Sequence, residues 1–377
     1  MRVGYIAATL HAHYDHASLE SGSLYGKPGW DSVIPSLDMY TVKDTDHVTP
    51  NLVHALRSVQ QLTLTLDSYT GFREIGTLPF NDRLDMTGND LKNPTKVQVS
   101  DKTIAHSGYH IIEQYLERMW SNKHPHLIHM SGGKDSRVIA YALKQLERKH
   151  GEAWLGKVMF VHHHEGATDG LIHQLMPALG WRDDQYHIHR EGRWHDPDYF
   201  DWPMTTNANS YFPPMFRWWS DVVPLQDERK WVVVNGWAGN WLGRSGHGSW
   251  GWYGKPTPHF GEYYAQFHDV ILPYISWDLV RLNMSIPDNR RNFSAYPNKL
   301  RTLMLQDAPD FPYHSHHAYQ FENSDKRAAE IQGWFEGSKL WHDHPAVRKI
   351  DIDYKRMYQP RTLGHKVLGL ATVYERV

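Results

Sequence analysis

The sequence predicts an α/β fold: a parallel sheet flanked by helices, with a mixed α+β region before it and a mainly helical part after it. Two observations carry this. From about residue 105, short apolar runs alternate with amphipathic segments, the pattern of strands and crossover helices. Two of those runs, HLIHM and KWVVVNG, lead directly into glycine-rich turns, and ligands of such sheets sit at the carboxyl ends of strands. The chain therefore divides into an N-terminal mixed region, 1–105, and a sheet-bearing domain, 106–377.

In chain order, RVGYIAATL reads as a strand, SVIPSLDMYTV as a short extended piece and LVHALRSVQQLTLTL as a helix. REIGTLPFNDRLDMTG has the turn residues of a hairpin or of two short strands. In AHSGYHIIEQYLERMWSN, Ile111, Ile112, Tyr115, Leu116 and Met119 form a helical stripe that opens near Ser107. HLIHM is then a strand, SGGKDS a turn and RVIAYALKQLERKHG a helix. GKVMFVHHH is a strand, ATDGLIHQLMPALG a helix and DQYHIHR a strand. KWVVVNG is a fourth strand, followed by the turn WAGNWLGRSG. From about residue 256 the pattern is mainly helical with long loops.

Composition narrows the chemistry. The 377 residues suffice for one large or two modest domains. The formal net charge of −2 gives no general affinity for polyanions. Sixteen Trp and 21 Tyr favour aromatic packing or aromatic-lined clefts without selecting a ligand. With no cysteine, disulfides, thiolate metal sites and catalytic thiols are excluded. No apolar run approaches the roughly 18 residues of a membrane span, and no signal-peptide pattern is present. A cytoplasmic protein with no membrane partner is expected.

The SGGKDS turn has a specific chemistry. Gly132 and Gly133 lack side chains, so backbone N–H groups can approach an anion closely. The helix that follows points its positive end at the same spot. Ser131 and Ser136 add hydroxyls and Lys134 a charge. Asp135 opposes a bare phosphate, and its sensible role is to hold Mg²⁺, which then neutralises phosphate oxygens. A polyphosphate–Mg²⁺ site accounts for all six residues together.

SGGKDS resembles the pyrophosphate loop, SGGxDS, of the N-type ATP pyrophosphatases (PP-loop enzymes). That resemblance implies an adenine-nucleotide α-hydrolase-like sheet, ATP and Mg²⁺ as cofactors, and cleavage of ATP to AMP and pyrophosphate with adenylation of a substrate oxygen. Without cysteine, the sulfur-relay, sulfate-nucleotide-reducing and deazaguanine-nitrile branches fit poorly. The asparagine-synthetase-like branch fits best. VVVNGWAGNWLGR resembles its second phosphate-binding segment, with Gly236 and Leu242 at family positions. EGATDGLIHQLMPALGW and IPDNRRNFSAYPNKLRTLMLQDAPDFP resemble two of its helical stretches.

The resemblance covers about residues 105–320 and carries departures. Asn240 and Trp241 stand where that branch has an aspartate and a glutamate, and Arg244 is close enough in sequence to contact pyrophosphate instead. Residue 2 is Arg where glutamine-dependent members have the glutaminase cysteine, so the nitrogen would come from ammonia or an amine. Residues 1–105 would then be a reduced glutaminase-like relic or something unrelated. His162, at the end of the second strand, would face the nucleotide. The late lysine of the family would be Lys299 or Lys326.

A second motif competes. His11, His13, Asp15 and His16 match HxHxDH of the metallo-β-lactamase-like hydrolases, a spacing suited to two zinc ions. Only ten residues precede it and the chain holds 27 histidines, so a chance match is favoured. HHH at 162–164 and HSHH at 314–317 read better as strand-end and loop residues than as metal ligands. GHGSWG at 246–251 lies in an aromatic loop, not between strand and helix, and SLYGKP at 23–28 lacks the hydroxyl residue of a Walker loop.

The expected activity is thus an AMP-forming amide ligase that acts on a small-molecule carboxylate and an amine. Modification of a base in tRNA or DNA is a second reading, with the local basic stretches RLNMSIPDNRRN and KRAAE as its hints. A nucleotide-binding protein without turnover is a third, motivated by Asn240 and Trp241.

Overall fold

The computed structural model describes residues 25–26, 76–77, 95–163, 167–189, 219, 221–236, 239, 242–243, 267–291, 295–312, 329, 332–333, 335–345, 347–349, 352 and 354. The elements expected at 2–10, 32–42 and 52–66 lie outside the described residues, as do HAHYDH, HSHH and GHGSWG. In the N-terminal region, β1 (Tyr25–Gly26) pairs antiparallel with β2 (Gly76–Thr77). β2 falls in the segment read as a hairpin, but its partner lies far up the chain.

Helix α1 (Asp101–Met119) opens six residues before the expected start at Ser107. Its N-cap is Ser100, whose Oγ accepts from Thr103 N at 3.0 Å, and Asp101 adds a negative charge at the positive helix end. The apolar stripe extends back to match, since Ile104 and Ala105 are buried with Ile112, Tyr115 and Leu116.

The domain's sheet is built from β3 (His126–His129), β4 (Val158–His163), β5 (Tyr186–His189), β6 (Val232–Val234) and β7 (Asp269–Ile271). All are parallel, in the order β5-β4-β3-β6-β7. Helix α2 (Lys134–His150) joins β3 to β4, and α3 (Ala167–Ala178) lies between β4 and β5. Leu127, Ile128, Phe160, Val161, Val233 and Val234 are buried, as a sheet covered on both faces requires. Helix α2 seals one face with Val138, Ile139, Ala142, Leu143 and Leu146. Each of the Val, Ile and Leu side chains contributes about 1.5–3 kcal/mol by leaving water.

Strand β7 lies in the part expected to be mainly helical. At three residues, it is too short to stand out as a period. Beyond it come α4 (Trp277–Ser285), α5 (Ala295–Met304) and α6 (Lys339–Asp343). Helix α5 packs on α1 and on α2, and this brings residues near 300 to the head of α2. Among the described residues, no helix is long and apolar enough to cross a membrane.

The strand order has one functional consequence. The chain leaves β3 toward β4 and β5, then returns to lay β6 and β7 on the other side. β3 and β6 are therefore neighbours whose connections depart in opposite directions, and this opens a crevice at their carboxyl ends. SGGKDS follows β3 into that crevice, and Asn235–Gly236 follow β6.

Candidate functional site

The turn is held by its own hydroxyls. Ser136 Oγ donates to Gly133 O at 3.1 Å and accepts from Ser131 N at 3.2 Å. A serine has one hydroxyl proton, so in the 3.1 Å contact between the two hydroxyls Ser131 is the donor. Ser131 Oγ in turn accepts from Gly133 N at 3.3 Å. Both hydroxyl protons are committed inside the turn. Through these contacts Ser131 and Ser136 brace the loop. The groups left to meet an anion are backbone amides at the start of α2, where Gly133 provides no side-chain cap and the first-turn N–H groups have no acceptor within the helix.

Gly132 has φ +71°, a left-handed backbone conformation that an L side chain adopts only with strain. Its carbonyl accepts from Arg137 Nε at 2.9 Å. Arg137 is buried and reaches on to Phe311 O at 3.0 Å and to Pro312 O, so one guanidinium ties the turn to the segment after α5.

The turn after β6 closes on the same place. A Cβ on Gly236 would lie 3.1 Å from Ser136 N, and one on Gly239 would lie 2.4 Å from Asp135 Cγ. Only glycine allows this second turn to lie directly against the head of α2. Asn235 Nδ2 and His129 Nδ1 are 3.3 Å apart across the crevice between β3 and β6.

Helix α5 supplies the third wall. Arg301 Nη1 donates to Asp135 Oδ1 at 2.7 Å, and its Nη2 donates to Asn298 Oδ1 at 2.6 Å. The next residue, Thr302, accepts from Lys134 Nζ at 2.6 Å. Burial lowers the pKa of Lys134, and the nearby Arg301 and Arg137 charges lower it further. From below, Tyr274 OH donates to the Asp135 carbonyl at 3.0 Å, and burial holds that phenol well above its usual range.

The other expected residues fall as follows. His162 is buried, and its Nδ1–H donates to Met130 O at 2.7 Å, so it supports the base of the turn from inside the sheet. Lys299 pairs with Asp101 Oδ2 at 2.6 Å on the first turn of α1. Gly236 is in the second turn as expected, while Asn240, Arg244 and Lys326 lie outside the described residues. Among the contributors that the sequence does not single out are Arg137, Gly239, Arg301 and Thr302. Arg301 did leave a trace, because it is a charged residue on a stripe with Tyr296, Pro297, Leu300 and Met304, all buried.

The donor set can be tested against the two expected ligands. Mg²⁺ takes about six oxygen ligands and usually uses one or two carboxylates. Among the described residues, no group of three or more His, Asp or Glu side chains could hold a metal ion. Asp135, the carboxylate assigned to the ion, already has Arg301 on Oδ1. Helix-start amides with Lys134, Arg137 and Arg301 gathered around them suit an anion better than a cation.

No family model matches the chain, and no curated protein matches it.

Proposed function

We propose that this protein is an ATP-dependent, AMP-forming synthetase of the PP-loop class, with an adenine-nucleotide α-hydrolase-like sheet and closest in kind to the asparagine-synthetase-like branch. The observation that supports it most is the position of SGGKDS. The turn sits between β3 and α2 at the point where the strand order reverses, with a second glycine turn against it.

In this reading a substrate carboxylate oxygen attacks the α-phosphorus of ATP. The bond from that phosphorus to the bridging oxygen of the β-phosphate breaks, and pyrophosphate leaves with the bridging oxygen. An amine nitrogen then attacks the acyl carbon, AMP departs, and the nitrogen loses its proton to solvent, leaving an amide. The amides at the start of α2, with Lys134, stabilise the negative charge that builds on the leaving pyrophosphate. Asn240 and Arg244, in the same segment as Gly239, are assigned to the same anion. Mg²⁺ belongs to this reading as the counter-ion that ATP carries in water.

The test is product identity. The protein is incubated with ATP and Mg²⁺, with carboxylate–amine pairs or nucleic acids added separately, and compared with Lys134→Ala. AMP and pyrophosphate, lost in the variant, support the reading, and the stimulating substrate separates amide ligation from base modification. ADP and orthophosphate would sink it.

A further inference from the structure

We propose that the protein supplies its own cation to the pyrophosphate site: Arg301 occupies Asp135, and the turn binds inorganic pyrophosphate without a divalent metal. This rests on the reading of the turn as a pyrophosphate site and goes beyond it in naming what balances Asp135.

Three features carry the inference. The Arg301 guanidinium is preorganised. It lies 2.7 Å from Asp135 Oδ1, is held by Asn298 at 2.6 Å, and its side chain is only 8% exposed. A group held this way costs little further entropy when an anion arrives. Next, Arg301 Nε is buried with no hydrogen-bond partner. A buried N–H without an acceptor is costly, so the guanidinium that pairs with Asp135 still has one donor unmet. Finally, pairing changes the sign of the site. An unpaired Asp135 would repel a polyphosphate, whereas a paired one is locally neutral and leaves the helix start and Lys134 as the local field.

Gly236 and Gly239 reinforce this. The main chain of the second turn lies against Asp135 so closely that a Cβ on Gly239 would fall 2.5 Å from Oδ1, the oxygen that Arg301 holds. A hydrated ion at that oxygen would have to displace both the guanidinium and the turn.

The test is calorimetric titration of the full chain with inorganic pyrophosphate, in EDTA and then in Mg²⁺, for the wild type, Asp135→Asn and Arg301→Lys. The expected result is binding in EDTA, with a Kd within about tenfold of the Mg²⁺ value. Asp135→Asn removes a negative charge beside the anion and tightens metal-free binding about threefold or more. Arg301→Lys loses the planar fork and weakens it about tenfold. Binding that needs Mg²⁺ and vanishes in Asp135→Asn would make Asp135 a metal ligand and overturn the inference, while leaving the pyrophosphate site intact. No binding in either buffer would overturn both. Circular dichroism melts establish that each variant is folded, and should Asp135→Asn unfold, Arg301→Lys decides on its own.

Discussion

Arg301 of α5 donates to Asp135 of the SGGKDS turn across 2.7 Å, and the residue beside each repeats the contact, Thr302 accepting from Lys134 across 2.6 Å. Two consecutive residues of one element thus hold two consecutive residues of another, 166 and 168 positions apart in the chain. The docking of α5 and the shape of the turn form one mechanical unit. Arg137 extends it to Phe311 and Pro312.

Such a unit couples Arg301 and Asp135 energetically. Urea unfolding of Arg301→Met, Asp135→Asn and the double variant gives a cycle with an expected coupling of about 1–3 kcal/mol. The single Arg301→Met change is the more damaging, since it leaves a part-buried carboxylate without its cation. Additivity within about 0.5 kcal/mol would show the two groups to be mere neighbours.

Gly239→Ala tests the approach of the second turn. Its Cβ would meet Asp135 Cγ at 2.4 Å, so either the turn or the head of α2 must move. The expected loss is about 1–3 kcal/mol of stability, together with weaker pyrophosphate binding. Gly333→Ala is the control, because a Cβ there meets nothing within 4 Å. Equal melting temperatures for the two variants would contradict the packing described.

The hydroxyl network makes a graded prediction. Ser136 is buried and bonds to Gly133 O, Ser131 N and Ser131 Oγ, so Ser136→Ala strips three contacts and costs about 1–3 kcal/mol. Ser131→Ala removes two, the shared one to Ser136 Oγ and a longer one from Gly133 N, and costs less. The reverse order in thermal melts would mean that the turn is held by something else.

How much of this was legible in the sequence follows from range. HLIHM–SGGKDS–RVIAYAL is local: an apolar run, two glycines and a helix start within one turn of chain, so the strand, loop and helix could be read directly. The cap of α1 is local too, at Ser100 and Thr103, yet the stripe from Ile111 onward is the denser apolar signal and overshadows Ile104 and Ala105. β7 is three residues with no period of its own, and it exists because β6 offers it a parallel edge. Arg301 and Thr302 reach the turn only because α5 packs on α1 and α2, and no spacing in the chain encodes that. The serines show the opposite limit. Their residue type suggests donors to a ligand, and the structure adds contacts of the two hydroxyls with each other and with the turn backbone.

Asp101 predicts an acid limb. Burial alone would raise its carboxyl, but hydrogen bonds from Lys299, Tyr296 and Arg290 outweigh that and bring it from 3.8 down to about 2. A depressed carboxylate stabilises the fold above its unfolded value and loses that contribution as pH falls from about 4 through about 2. Asp101→Asn should flatten the stability curve in that window and cost about 1–2 kcal/mol near neutrality. A variant whose acid midpoint matches the wild type would show that the three donors do not act through this carboxylate.

His126 acts in a higher window and with a different remedy. Its ring is fully buried and stacked on Trp120, with centroids 3.7 Å apart and planes 9° apart, and neither nitrogen has a hydrogen-bond partner. Burial, and then repulsion from His124, push the imidazole from 6.5 down to about 3, with the His124 backbone offsetting a small part. The folded protein therefore holds it neutral. The unfolded chain takes up a proton below about 6.5, so stability is full above that pH and falls as pH drops toward about 3, by about 1.4 kcal/mol per unit at most. His126→Phe keeps the stack on Trp120 and removes both buried nitrogens. It should raise stability near neutrality by about 1–3 kcal/mol and abolish the decline between pH 6 and 4. Urea midpoints measured across that range decide it: parallel curves for variant and wild type would mean that His126 is not the group that titrates, whereas a flat variant curve would identify the position as a buried histidine that weakens the sheet it sits in.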